Sequence, residues 1–188
     1  MHPFLKSLVL LVVVSMLCSC EEHVILPKPG GELALNFKTQ EYKPVTHTSC
    51  NYSFSANTVA RIVAASDCSL KIEYPDQKAT IFMSYRPVQD NLRELLIDGQ
   101  KLSYGHNRKA DVISDYPFSN PASSAYGMMY EVEGDAASNA QFYVTDSLNH
   151  FLTASLYFNT VPNYDSIFPA VNYVQKDMVK ILITLKWE

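Results

Sequence analysis

Residues 151–159 read Phe-Leu-Thr-Ala-Ser-Leu-Tyr-Phe-Asn, and this alternation decides the fold. Leu152, Ala154, Leu156 and Phe158 fall on one face of an extended chain, and Thr153, Ser155 and Tyr157 fall on the other. Two similar runs lie just upstream. Residues 126–133 set Tyr126, Met128, Tyr130 and Val132 on one face, and residues 140–146 follow a turn at Gly134-Asp135. Turns this short join only antiparallel neighbours, so the three runs predict an antiparallel meander.

Downstream the period lengthens to between three and four. Ile167, Val171, Val174, Met178, Ile181 or Leu182, and Leu185 form one apolar stripe, which predicts a long helix packed on the sheet. Pro169 does not fit deep inside a helix, so the start is placed at Asp165 or Ser166, both good caps, and the helix spans residues 166–187. Its polar face mixes Lys176, Asp177 and Lys180, which argues against a membrane-surface helix or a coiled coil.

Upstream, residues 78–85 carry apolar groups on both faces and read as a central strand that Pro87 stops. Shorter strands are expected at residues 51–54, 59–63 and 70–74, and the alternation of Leu33, Leu35 and Phe37 predicts a first strand. Asn91 followed by Glu94 resembles a capping box that starts a helix over residues 91–106. Gly99 costs that helix about 1 kcal/mol relative to alanine unless something packs closely against it. Residues 116–124, with Pro117 and Asn120-Pro121, read as a loop. The expected fold is one α+β domain over residues 32–188. It is an antiparallel sheet with a mid-chain helix and a long C-terminal helix packed on it, in an outline that resembles the PsbP type.

The N-terminal part has a different character. After Lys6, an apolar run from Leu8 ends in Leu17-Cys18-Ser19-Cys20. The run is shorter than the roughly 20 apolar residues that span a bilayer, and the ending has the form of a lipoprotein export signal. Cys20 has a branched apolar residue three before it and a small residue just before it, whereas Cys18 does not. Residues 1–19 are therefore expected to leave as a signal peptide, and Cys20 to carry the lipid, palmitate among its acyl groups. Each buried acyl CH₂ contributes about 0.8 kcal/mol, so several chains anchor a protein stably. Residues 20–31, with two prolines, two glycines and no period, read as a lipidated tether. The location implied is the cell envelope, facing the periplasm from the inner or outer membrane.

The chain's net charge is −4, and removing Lys6 with the signal makes the remainder more acidic. No basic stripe is present, so nucleic acid is excluded as a partner. Beyond Cys20 the cysteines are Cys50 and Cys68, and an even pair in an oxidising compartment reads as a disulfide.

Residues that could carry chemistry are few. His23, His47, His106 and His150 form no metal-ligand pair at helical spacing with another His or Cys. Asp146-Ser147 and His150 include the residue types of a hydrolase, but they sit in one turn without a nucleophile elbow, and turn capping explains them. No phosphate loop or dinucleotide fingerprint occurs. The chain is read as a non-enzyme whose only attached group is the lipid on Cys20.

Several blocks together resemble a known family. They are Pro27-Lys28-Pro29, Cys50-Asn51-Tyr52-Ser53-Phe54, Ser84-Tyr85, and His106 with Lys109-Ala110. The densest is Gln141-Phe142-Tyr143-Val144-Thr145-Asp146-Ser147 with His150-Phe151-Leu152 and Leu156-Tyr157-Phe158-Asn159. It continues through Pro162-Asn163, Asp165-Ser166, Pro169 and Leu185-Lys186-Trp187. The chain is similar in these blocks to the gliding motility lipoprotein GldD family of Bacteroidota, departing from it at Gly30 and Ser69. The resemblance implies no catalytic residues. It singles out Asp146, Ser147, His150, Phe151, Asn163, Asp165, Pro169 and Trp187 as motif positions. It also implies a tethered accessory or assembly subunit of gliding motility and type IX secretion, with the membrane and other envelope proteins of that machinery as partners. The alternative is a periplasmic lipoprotein that binds a small apolar or lipid ligand between sheet and helix. That reading requires a cavity near residues 152–158 and 171–178, and composition alone gives a small ligand little support.

Overall fold

A computed structural model of the chain describes residues 36–47, 50–105, 109–160 and 163–188. These belong to a unit spanning Gly31–Glu188. The signal peptide, Cys20, the tether, His23 and His106 lie outside the described residues, as do Leu33 and Leu35 of the expected first strand.

The meander forms as expected. Strands β1 (Tyr42–His47), β2 (Tyr52–Asn57), β3 (Arg61–Ala64), β4 (Leu70–Tyr74) and β5 (Ala79–Pro87) precede helix α1 (Leu92–Tyr104). Strands β6 (Val112–Asn120), β7 (Ala125–Glu133), β8 (Ser138–Thr145) and β9 (His150–Phe158) lead to helix α2 (Tyr164–Thr184) and a two-residue strand, β10 (Lys186–Trp187). Seven strands make one sheet in the order β3-β4-β5-β9-β8-β7-β6, and β1-β2-β10 make a second. Every pairing is antiparallel. The fold is α+β.

Alternation in β9 sorts the two faces of the large sheet. Across the β5–β9 register, Ile81 meets Leu156, Met83 meets Ala154 and Tyr85 meets Leu152. This face packs against α2, whose Val171, Val174, Met178, Ile181 and Leu182 are all buried, and against Tyr52 and Phe54 of the small sheet. The opposite face carries Tyr130, Tyr143 and Phe151, on which Leu95 of α1 rests. The close packing that Gly99 requires is present, since a Cβ there would lie 3.2 Å from Tyr143 and 3.3 Å from Phe151. Gly127 is required for another reason: a Cβ would collide with the β8 backbone at Tyr143.

A buried carboxylate ties the first segment to this core. Asp177 of α2 is 1 % exposed and accepts hydrogen bonds from Gln40 Nε2 (2.8 Å), the Tyr42 hydroxyl (2.8 Å) and Asn57 Nδ2 (2.9 Å). Three neutral donors thus satisfy the group, and they hold residues 40–42 and β2 onto the helix. Burial, then the bond to Asp177, makes the Tyr42 phenol harder to ionise, so it remains a donor. The disulfide joins Cys50 to Cys68 with Cα atoms 5.3 Å apart.

Six expectations need correction. Residues 112–120 are a strand, so the loop shrinks to residues 121–124; Pro117 is tolerated because β6 is an edge strand with one side free of ladder bonds. Helix α2 is capped by Asn163, whose side chain accepts the Ser166 N–H, rather than by Asp165 or Ser166. Pro169 lies inside the helix, exposed and at its sixth residue, where the N–H that it lacks leaves the Asp165 carbonyl without its i+4 donor. The helix ends at Thr184, and Lys186 and Trp187 instead pair with Ser53 and Tyr52. Asn91 makes no capping bond; its side chain accepts the Gln89 N–H at 2.8 Å. Finally, residues 36–41 are not a strand, and the first described strand begins at Tyr42.

Candidate functional site

The β8–β9 turn holds the densest run of motif residues. The Asp146 side chain accepts the backbone N–H groups of Leu148 (3.0 Å), Asn149 (2.8 Å) and His150 (2.8 Å), closing the turn around one oxygen, Oδ1. Burial pushes this carboxyl up, but those three bonds and the nearby imidazole outweigh it and hold it below the usual carboxylate range. Thr145 Oγ1 completes the turn, donating to the His150 carbonyl at 2.6 Å and accepting the Ser147 N–H at 2.9 Å. Ser147 sits at a φ of +68°, a left-handed backbone position.

His150 is held from two sides. The Tyr85 hydroxyl shares a hydrogen bond with its Nδ1 at 2.7 Å, and its ring stacks on Trp187 with centroids 5.0 Å apart and planes at 8°. Burial, then the Asp146 charge, raises the Tyr85 phenol, so it stays neutral beside the imidazole. Tyr85 stacks in turn on Tyr52 (5.7 Å), whose hydroxyl donates to the Cys68 carbonyl at 2.7 Å. An unbroken run of ring contacts therefore links Trp187 to the loop fixed by the disulfide.

Among the described residues no hydrogen bond joins Ser147 to His150, and the histidine's Nδ1 is already engaged by Tyr85. The types of a hydrolase are present, but their geometry is that of a braced turn. Among the described residues there is also no group of three or more His, Cys, Asp or Glu placed to hold a metal ion.

The motif positions divide into two ends. Asp146, Ser147, His150 and Trp187 lie together. Asn163 and Asp165 lie by the β7–β8 turn, where the Tyr164 N–H donates to Asp135 at 2.8 Å, so the two groups are separated by the length of β8, roughly 25 Å. Phe151 belongs to neither group and stacks on Tyr143 under α1 at 5.8 Å. Tyr85 and Tyr52 gain their importance only from the register that brings β5 beside β9.

Beside the braced turn lies an open cleft of about 760 Å³. Ser55, Asn120, Ser123 and Ser124 line one side, and Asp146, Thr184, Lys186 and Trp187 line the other. Trp187 Nε1 donates to the Ser124 carbonyl at 3.3 Å, closing the back. A second opening lies on the α1 face. A groove of about 750 Å³ is lined by Phe82, Leu102, Tyr157 and Phe158, and it adjoins a smaller one of about 480 Å³ near Arg86 and Lys101. The space near residues 152–158 and 171–178 is filled instead, since Leu152, Leu156, Val174 and Met178 are all fully buried against one another.

A family model described as "Gliding motility lipoprotein GldD" matches residues 22–187, almost the whole described chain and both motif ends. The chain belongs to the GldD family. GldD family membership brings association with gliding motility and the membrane-anchored envelope setting of a lipoprotein. Among the described residues no helix is long and apolar enough to cross a membrane. No curated protein matches the chain. Among solved structures, cyanobacterial PsbP (CyanoP) of Synechocystis sp. PCC 6803 is similar at 8% identity, over 87% of this chain and 99% of that one, with a TM-score of 0.45. At that level the likeness assigns this GldD-family chain no role.

Proposed function

We propose that this chain is a lipid-tethered, non-catalytic accessory subunit of the gliding motility machinery and its type IX secretion route. Cys20 carries the anchor, and the folded domain faces the periplasm. The anchor confines the domain to the membrane plane and raises its effective concentration near membrane-bound partners. The observation that carries the non-catalytic part is that Ser147 and His150 are each held by the turn's own bonds and ring contacts, with no hydrogen bond between them among the described residues. Family membership supports the gliding-motility part of this reading.

Mild crosslinking in native envelopes, followed by identification of what stays bound to the lipidated form, tests the assignment. Recovery of motility or secretion components supports it, and recovery of none contradicts it. Ser147→Ala is expected to leave secretion and motility intact; their loss in a normally folded, normally abundant Ser147→Ala protein points to catalysis.

The alternative of a bound apolar ligand now attaches to a different place. It is favoured by the groove under α1, where Phe82 is 41 % exposed, and not by the filled space under α2. Lipid extraction from protein purified out of membranes tests it: a stoichiometric co-purifying lipid that is lost in Leu102→Arg protein supports it.

A further inference from the structure

We propose that the cleft beside Trp187 binds a short saccharide segment, an amino-sugar unit bearing an acidic substituent. A pyranose presents hydroxyls that both donate and accept, together with an apolar C–H face. The cleft offers a partner for each. Trp187 supplies a flat aromatic surface, and the His150 ring stacked on it at 5.0 Å fixes its orientation before any ligand arrives. Asp146 takes its three backbone N–H groups on Oδ1, and among the described residues no donor is bonded to Oδ2, which is left to accept a hydroxyl or amide proton.

Lys186 adds an exposed ammonium, suited to a carboxylate substituent. A volume of about 760 Å³ lies in the usual range of small-ligand sites. An apolar ligand is disfavoured here because it would strand these polar groups. The inference does not depend on the tether or on the secretion role.

Trp187 is the only tryptophan in the chain, so its fluorescence reports on this cleft alone. The lipidated protein in detergent micelles is titrated with the disaccharide N-acetylglucosaminyl-N-acetylmuramic acid, with neutral chitobiose, and with a sugar-free stem peptide, and each titration is repeated by calorimetry. The expected result is saturable binding of the acidic disaccharide, weaker binding of chitobiose and none of the peptide. Lys186→Ala is expected to raise Kd about tenfold for the acidic disaccharide, with an unchanged melting temperature. Absence of both heat and spectral change with either saccharide up to millimolar concentration overturns the proposal. So does binding of the peptide alone, or binding that Lys186→Ala leaves intact.

Discussion

The two faces of the seven-stranded sheet are covered very differently. On one, the 21-residue α2 and the small sheet close over Ile81, Met83, Leu152 and Leu156, and no side chain of that row is open to solvent. On the other, the 13-residue α1 covers Tyr130, Tyr143 and Phe151 but leaves Phe82 and Tyr157 at the floor of a groove. The same alternating strands supply both faces, so the difference comes from helix length and from where each helix crosses. The closed face carries the stability, and the open face and the cleft at the strand ends are what a partner can reach.

The largest effect that separates the faces comes from paired truncations. Leu156→Ala on the closed face is expected to cost about 3 kcal/mol or more in urea unfolding, because it opens a cavity in a filled core. Phe82→Ala on the open face is expected to cost under about 1 kcal/mol, since that ring is already 41 % exposed. Equal costs would erase the distinction.

Next in size is the bridge at the end of the closed face. Replacing both Cys50 and Cys68 by alanine is expected to lower stability by about 3 kcal/mol at neutral pH, through the loop that the disulfide closes in the unfolded chain. A reducing agent should reproduce the loss in the unaltered protein and change nothing in the double variant.

A smaller effect concerns the braced turn. Asp146 has a folded pKa below its unfolded value, near 3.9, so its contribution is fully present above that value and is lost as pH falls through the depressed folded pKa. Asp146→Asn should therefore flatten stability against pH below about 4 while leaving the curve's shape above pH 5 unaltered. An unchanged acid limb would mean that the carboxylate is not held as its three N–H bonds imply.

The smallest expected effect lies under α1. Gly99→Ala gains helix propensity of about 1 kcal/mol but sets a methyl 3.2 to 3.3 Å from Tyr143 and Phe151. The two terms nearly cancel, and a net change under about 0.5 kcal/mol is expected. A gain near the full propensity value would show that α1 sits loosely on the sheet, which would sharpen the contrast with α2.

How far the sequence could be read follows from how local each signal is. The meander was legible because strands β7, β8 and β9 carry their own alternation and are joined by short turns. The α2 stripe was legible because a long helix repeats its period many times. The extent of β6 was hidden by Pro117, since only sheet position shows that an edge strand tolerates it. Two-residue β10 has no period at all, and it is held by pairing with β2 more than a hundred residues earlier in the chain. For the site, Asp146, Ser147, His150 and Trp187 stood out as motif positions. Their brace, Tyr85, depends on the β5–β9 register, which leaves no trace in any local pattern.

If this domain works by being held at a membrane through Cys20, as proposed above, one complementation experiment bears on it with the fewest intervening steps. In cells lacking the native protein, a Cys20→Ser form exported behind a cleavable, non-lipoprotein signal is compared with the unaltered chain for type IX secretion and motility, at matched periplasmic abundance. The soluble form is expected to fold, to form the Cys50–Cys68 bridge and to restore neither process. Full restoration by the unanchored domain would contradict it.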